Sequence, residues 1–146
     1  MKSTLLAATA ITAALSGAAS AETIGVSMSR FDDNFLTVLR NGMIEMAKTS
    51  DDIDLQVEDA RDDVARQLDQ VKNFIAAGVD AIVVNPVDPN ATQAISDEAA
   101  AAGVPLVYVN RQPVNVDSLP DTQAFVASDE RESGTLETIA VCDQLA

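Results

Sequence analysis

The sequence predicts an α/β fold, a parallel doubly wound sheet with helices on both faces. Apolar runs of strand length alternate with longer segments whose apolar residues recur at helical spacing. Two of the strand-like runs, Ala81–Val84 and Leu106–Val109, are almost continuously apolar, as strands buried on both faces are. Alternating strand and helix units of this kind form parallel sheets with right-handed crossovers.

The first part of the chain predicts a strand, a helix and an edge strand. Thr23–Ser29 is an apolar run suited to a strand, and Asn34–Lys48 follows as a helix with Asp33 or Asp32 as its N-cap. Ile53–Asp59 alternates apolar and polar residues, so we expect a strand with one wet face at a sheet edge. The apolar residues that share one predicted face of the helix are Phe35, Leu39, Met43 and Met46.

A second helix is predicted over Val64–Ala77, and Gly78 follows it as a C-cap. Residues 76–85 (AAGVDAIVVN) and 101–110 (AAGVPLVYVN) then repeat one another. Each copy joins a helix end, a capping glycine and a short strand that stops at an asparagine. The predicted inward residues of the second helix are Val64, Leu68, Val71 and Ile75.

The last elements are predicted from the same patterns. Between the two repeats we expect a third helix over Ala91–Ala102, capped by Asn90. A fifth strand is predicted at Ala124–Ser128 and a last helix at Arg131–Leu145. Because no strand follows that helix, we expect this chain to be a truncated product or a fragment.

The amino terminus, residues 1–21, predicts a secretory signal peptide. Lys2 supplies a positive start, Leu5–Ala14 an apolar stretch and Ala19-Ser20-Ala21 a small-residue cleavage pattern. The apolar stretch is too short to span a bilayer. We therefore expect a soluble, exported chain that begins near Glu22.

Composition excludes several kinds of site. The chain has no histidine, so a Ser-His-Asp triad, a histidine-bearing zinc site and a histidine general base are impossible. Cys142 is the only cysteine, which rules out an intramolecular disulfide, and we expect its thiol to be buried in the last helix. The formal net charge of −14 makes nucleic acid and anionic lipid poor partners. The stretch SMSRFDDN has no glycine, which argues against a phosphate loop there.

Polar and aromatic residues follow four of the predicted strands. They are Arg30–Asp33, Asn85-Pro86, Asn110-Arg111 and Asp129. Ligands of open doubly wound sheets bind beyond the carboxyl ends of the strands. Carboxylates, amides and the arginine fork suit hydroxyl groups, and an aromatic face covers the apolar C–H side of a sugar or cyclic polyol. The set therefore predicts a site for a ring rich in hydroxyls.

Each of these residues also has a structural interpretation. Phe35 could belong to the core of the first helix, and Asp32 and Asp33 could be a cap and a solvated loop residue. Asn110 and Arg111 could form a turn with a surface charge, and Asn85-Pro86 is expected to be only a turn. The acid pairs Asp32/Asp33 and Asp62/Asp63 are better explained as helix caps than as catalytic or magnesium-binding groups.

Four motifs, IGVSMSRFDDNFLTVLRNG, AAGVDAIVVNPVD, GVPLVYVNRQ and AFVASDERESG, are spread along the mature chain, and the resemblance that they carry covers essentially all of it. Together they resemble the periplasmic sugar-binding proteins of ABC transporters, and most nearly the inositol- or rhizopine-binding members. The resemblance implies a type I periplasmic binding protein with two lobes that close on a ligand. Residues 22–129 would form the N-terminal ligand-binding lobe, and residues 130–146 the first helix of a truncated second lobe.

The resemblance also implies roles for individual residues. Ligand contacts would come from the loop after the first strand and from the pair after the fourth strand, and Ser128-Asp129 would be the first hinge crossing. Leu36 stands where relatives often have a second aromatic residue. Asn110 replaces the usual acid, and Arg30 replaces a small or apolar residue. The ligand-binding candidates are Phe31, Asp33, Phe35, Leu36, Asn110 and Arg111.

The function implied is capture of a sugar or cyclic polyol in the periplasm for an ABC permease in the inner membrane. We expect a monomer that needs no cofactor, binds no nucleic acid and catalyses no reaction. An alternative is a sensory subunit that presents the same solute to a membrane receptor. An exported α/β hydrolase-like enzyme is disfavoured by the missing histidine. Related repressor domains are disfavoured because a signal peptide stands in place of their DNA-binding segment.

Overall fold

A computed structural model describes residues 21–145 of the chain. It contains β1 (Glu22–Met28), α1 (Asn34–Ala47), β2 (Ile53–Asp59), α2 (Val64–Ala77), β3 (Ala81–Val84), α3 (Thr92–Ala102), β4 (Leu106–Val109), β5 (Gln123–Val126) and α4 (Glu130–Leu145). The strands form one parallel sheet in the order β2-β1-β3-β4-β5. The predicted fold class and the edge position of β2 are therefore confirmed. The predicted signal peptide, except for Ala21, lies outside the described residues.

Helices cover both faces of the sheet, and each face has its own apolar core. On one face α2 and α3 pack on β3 and β4 through residues that include Phe74, Ile82 and Tyr108. On the other face α1 packs on β1 through Val26, Met28 and Leu36, with part of β2 beside them. That second face is less well covered toward the far edge, where Val126 of β5 is 60% exposed.

The inward faces of α1 and α2 match the predictions only in part. The predicted residues that do pack against the two cores are Leu39, Met43, Leu68, Val71 and Ile75. Helix α1 turns Leu36 inward and leaves Phe35 60% and Met46 74% exposed. Helix α2 buries Gln67 and Gln70 with Val71 and Phe74, while Val64 is 39% exposed. Both predictions assigned apolar residues to the core wherever their spacing allowed. In α2 the buried stripe includes two amides because polar backbone and side-chain groups of the sheet lie beneath them.

The helix ends are set by side-chain and glycine caps. The Asp33 carboxylate accepts a hydrogen bond of 2.9 Å from the Leu36 amide, so Asp33 is the N-cap of α1. Gly78 ends α2 at φ 77°, in the left-handed region, as predicted. The predicted Asn90 cap is wrong. A 3₁₀ turn at Pro89–Ala91 precedes α3, and the side chain of Asp88 caps that turn.

Every side chain that is described in the last helix, α4, is exposed. The expected burial of Cys142 is therefore wrong: its thiol is free and exposed. The apolar residues of α4 do not line up on one side, so this helix has no apolar stripe of its own to bury. In the part of the chain that the structure describes, no helix has the length and apolar character to cross a bilayer.

Tyr108 yields a pH-dependent prediction, because it is fully buried and is the only tyrosine in a chain without tryptophan. Its hydroxyl donates to the Thr92 carbonyl at 2.9 Å and lies 2.8 Å from Ser96 Oγ. Burial raises the pKa of Tyr108 from 10.0 to about 12. The folded state then holds this proton when the unfolded state has lost it, so stability should fall as the pH rises from 10 to about 12.

An absorbance titration of the phenolate measures this directly, since no other tyrosine contributes. We expect little ionisation at pH 10 in the folded chain and a normal curve in denaturant. A folded chain that titrates with the unfolded one would contradict the prediction. Tyr108→Phe should remove this contribution to the loss of stability above pH 10.

Candidate functional site

The candidate site lies at the carboxyl ends of β1, β3 and β4, which are neighbours in the sheet. The order β2-β1-β3-β4-β5 changes direction between β1 and β3. The loops that leave these two strands separate to opposite sides there, which opens a crevice in doubly wound sheets. The loop after β1, the turn after β3 and the loop after β4 surround this point.

Asn85 joins the ends of the three strands. It is fully buried directly after β3, and its Oδ1 accepts 2.7 Å and 3.4 Å hydrogen bonds from the hydroxyl and the amide of Ser29. Its Nδ2 donates to the Val109 carbonyl of β4 at 3.2 Å. The expectation that Asn85-Pro86 forms only a turn is therefore incomplete, because the side chain cross-links the sheet under the candidate site.

Two glutamines of α2 continue this buried polar layer. Gln67 Nε2 donates to the Asn85 carbonyl at 3.0 Å, and Gln67 Oε1 accepts from the Val87 amide at 2.8 Å. Gln70 Oε1 accepts from Ser27 Oγ at 2.8 Å, and its Nε2 donates to the Asp59 carbonyl at 2.9 Å. We call Ser27, Ser29, Gln67, Gln70 and Asn85 the amide layer.

The sequence reasoning missed the amide layer. Its signal in the sequence is the pair Gln67 and Gln70, three residues apart, directly before the apolar Val71 and Phe74. Polar residues that share a helix face with buried apolar ones need hydrogen-bond partners in the core. The ends of the strands supply those partners.

The side chain of Arg111 is held by the turn after β3, at residues 85–87. Its Nη1 donates to the carbonyls of Pro86 and Val87, each at 3.0 Å. Nε and Nη2 make no hydrogen bond to any residue between 21 and 145. The guanidinium is thus fixed through Nη1, while the N–H groups of Nε and Nη2 remain available as donors. Asn110 before it adopts φ 67°, and its amide donates to the Val126 carbonyl at 3.1 Å.

A cleft of about 620 Å³ opens beside Arg111, between the loops after β4 and β5. Four of the predicted site and hinge residues line it, namely Asn110, Arg111, Ser128 and Asp129. Asp129 also caps α4, because its Oδ1 accepts from the amides of Arg131 and Glu132 at 2.9 Å and 3.0 Å. The residues of the loop after β1 are not part of this lining.

The loop after β1 and the first turn of α1 place the four candidates Phe31, Asp33, Phe35 and Leu36 in different environments. Phe35 is 60% exposed, and Asp33 uses Oδ1 as the helix cap. The ring centre of Phe31 lies 4.2 Å from the Arg40 guanidinium carbon, a cation–π contact. Leu36 is 3% exposed and packs with Val26 and Met28 in the core. Leu36 therefore offers almost no surface to a ligand, whereas the other three residues remain accessible.

Arg30, where the resemblance implies a small or apolar residue, forms an ion pair with the loop between β2 and α2. Its Nε lies 3.1 Å from the Asp62 carboxylate, and both side chains are about two-fifths exposed. Exposed pairs of this kind contribute little to stability.

No group of three or more metal-ligating side chains occurs in residues 21–145. The groups at this edge, which include Asp33, Arg111 and Asp129, are hydrogen-bond donors and acceptors with one exposed aromatic ring, a set suited to a ring that carries hydroxyl groups.

Comparisons with known proteins identify the family of this chain. The family model described as a periplasmic binding protein domain matches residues 24–146. A Rhizobium meliloti protein named "Putative rhizopine-binding protein" is 63% identical over 131 residues, which are 90% of this chain and 42% of that protein. The ribose import binding protein of Bacillus subtilis is 31% identical and aligns with 84% of this chain and 39% of its own length.

A solved structure shows the same fold. An ABC transporter solute-binding protein of Bacillus halodurans with bound myo-inositol superposes with a TM-score of 0.70 at 35% identity. The match covers 84% of this chain and 44% of that one, so this chain spans about two-fifths of the length of such relatives. Its architecture is that of a type I periplasmic binding protein, and the chain belongs to the periplasmic binding protein domain family.

Proposed function

We propose that this chain is the N-terminal lobe of the solute-binding component of an ABC transporter, which captures a sugar or cyclic polyol in the periplasm. The observation that carries the proposal is Arg111, whose guanidinium is fixed by two carbonyls while Nε and Nη2 have no hydrogen-bond partner among residues 21–145. Such a group can donate to ligand hydroxyls without first breaking an ion pair. The proposed activity is binding alone, with no catalysed reaction.

The proposed ligand is a cyclic polyol of the inositol type. The relatives described above support this choice, since one is named for rhizopine and another holds myo-inositol. Phe35 would cover the apolar C–H face of the ring, because its own ring is largely exposed. The amide of Asn110 and the free oxygen of Asp33 would bind hydroxyls beside Arg111, and Phe31 would border the same loop. Leu36 would support this loop from the core rather than contact the ligand.

The wider assignment follows the same reasoning. Residues 22–129 would form the lobe, Ser128-Asp129 the first hinge crossing, and residues 130–146 the start of the second lobe. A signal peptide at residues 1–21 would direct export to the periplasm, where a monomer would deliver its solute to an inner-membrane permease. The names of the relatives, with import in one and ABC transporter in another, favour transport over a sensory role.

The function is tested by titrating the chain with myo-inositol, D-ribose and D-galactose while recording amide resonances. One lobe covers one side of a ligand, and a few hydrogen bonds of about 0.5–1.5 kcal/mol each then predict a Kd on the order of 1 mM. We expect myo-inositol to shift the resonances of residues 31–35 and 110–111. Arg111→Ala should remove these shifts and leave the rest of the spectrum unchanged.

Arg131→Ala is the matched control, because Arg131 also lines the cleft but lies on the exposed helix α4. It should bind as the unaltered chain does. Shifts that survive in Arg111→Ala would remove Arg111 from the site. If none of the three solutes shifts any resonance, the proposed function is wrong for this chain.

A further inference from the structure

The geometry points to Gln67 as the positioning residue for Arg111: it fixes the turn at residues 85–87 from inside the protein, and this turn fixes the guanidinium. The role in ligand binding rests on the proposed function, whereas the positioning itself does not. Gln67 is 2% exposed, so its amide reaches the site only through the backbone. A buried amide would thus position a ligand-binding side chain that it does not itself contact.

Gln67 holds the turn at both of its ends. Its Nε2 donates to the Asn85 carbonyl at 3.0 Å, and its Oε1 accepts from the Val87 amide at 2.8 Å. Pro86 lies between these two anchor points and has no amide proton of its own. One side chain therefore fixes both flanks of the proline.

The same turn presents its carbonyls to Arg111. The oxygens of Pro86 and Val87 each accept from Nη1 at 3.0 Å. Val87 is thus bound on both sides, with its amide donating to Gln67 and its carbonyl accepting from Arg111. The Val87 N–H and the Pro86 carbonyl belong to one planar peptide unit, so a rotation that breaks the bond to Gln67 would also move the Pro86 carbonyl away from the guanidinium.

Gln70 provides a matched control on the same helix. It is 3% exposed and makes two hydrogen bonds of similar length, but to Ser27 and Asp59 on β1 and β2. Neither bond reaches the turn. Gln67 Nε2 also donates to Ser27 Oγ at 3.2 Å, so Gln67→Met removes three buried hydrogen bonds and Gln70→Met removes two. Both variants should therefore destabilise the chain, Gln67→Met somewhat more. Only the first should affect Arg111.

The test compares the two variants by NMR relaxation of the Arg111 Nε–H group, assigned through its loss in Arg111→Lys. In the unaltered chain and in Gln70→Met we expect a restrained group. In Gln67→Met its order parameter should fall below about 0.6, the range of flexible groups. Equal values in the two variants would overturn the inference, since general loosening of the core would affect both alike.

Affinity for myo-inositol gives the second readout. Losing a fixed donor fork should weaken binding by about tenfold in Gln67→Met and by less than about threefold in Gln70→Met. If the unaltered chain fails to bind any of the three solutes, the proposed function fails, and the order parameter still decides whether Gln67 positions Arg111.

Hydrogen exchange of the Val87 amide tests the same inference without any substitution, in case Gln67→Met does not fold. A bond to a buried side chain should protect this amide although it lies in a turn. Protection comparable to that of the buried β3 amides supports the inference. Exchange at the rate of an exposed loop amide would show that Gln67 does not hold the turn, and would overturn it.

Discussion

Gly25→Ala is expected to destabilise the fold by about 3 kcal/mol, near the upper end for an overpacked core. A Cβ built at Gly25 would lie 2.5–2.8 Å from three ring atoms of Phe74. That ring is 2% exposed and sits between α2 and the sheet, so it has little room to withdraw. The loss is a large part of the 5–15 kcal/mol typical of a whole domain.

Equilibrium unfolding in urea, followed by circular dichroism, measures this loss. Gly42→Ala is the control, because a Cβ at Gly42 would meet nothing within 4 Å on the exposed side of α1. It should stabilise the chain by about 0.5–1 kcal/mol, since alanine favours a helix over glycine. Similar unfolding curves for the two variants would mean that Phe74 does not pack against Gly25.

Asn85→Ala is expected to cost about 3–5 kcal/mol, because several buried groups lose their partners at once and each unsatisfied one costs about 1–3 kcal/mol. The Ser29 hydroxyl and amide lose their acceptor, and the Val109 carbonyl loses one of its two donors, because it also accepts from the Arg111 amide at 2.8 Å. We expect the unfolding midpoint in urea to fall steeply. The slope with denaturant should stay constant if the variant still folds to the same compact state.

Asn110→Gly provides the comparison for Asn85→Ala. Asn110 occupies the equivalent place in the second repeat, but it is only half-buried and its φ is 67°. Glycine accepts that backbone conformation without strain, so stability should change by less than about 1 kcal/mol. A small effect at Asn85, comparable to that at Asn110, would contradict the cross-linking role of its side chain.

The different positions of these two asparagines explain one limit of sequence reasoning. Aligning the repeats would place Val84 beside Val109, yet the sheet pairs Val84 with Tyr108. The strands are thus one residue out of step with the repeat. Asn85 stays within the sheet beside Val109, and Asn110 extends about 3.3 Å further toward the rim. Strand register depends on packing between helices and sheet, which the repeat does not encode.

Strand and helix order, by contrast, followed from local pattern. Hydrophobic period, capping residues and glycines gave every element to within a few residues, because these signals act over short distances. Spacing alone did not identify which side of α1 would be buried, since Phe35 and Leu36 both allow an apolar stripe. Nor did it reveal the amide layer, whose partners are up to 56 residues apart in the chain.

The same limit applies to the candidate site. The topology of a parallel sheet placed the loops after β1, β3 and β4 at one edge, so the neighbourhood was predictable. The carbonyls that hold Arg111 were not predictable, because every residue has a backbone carbonyl and its acceptor role does not depend on the type of side chain. Asn110 and Arg111 were found by residue type, and Gln67 only by its contacts.

The anchoring of Arg111 by neutral carbonyls has a consequence for how salt would affect the binding of a solute. No ion pair within 4.0 Å involves this guanidinium among the described residues. An uncharged polyol would therefore displace no counter-charge when it binds, and ionic screening, which weakens attraction between exposed charges over about 10 Å at 0.1 M salt, has little to act on. Under the proposed function, capture would then be nearly independent of ionic strength, which would suit a compartment outside the cytoplasmic membrane whose salt the cell does not control.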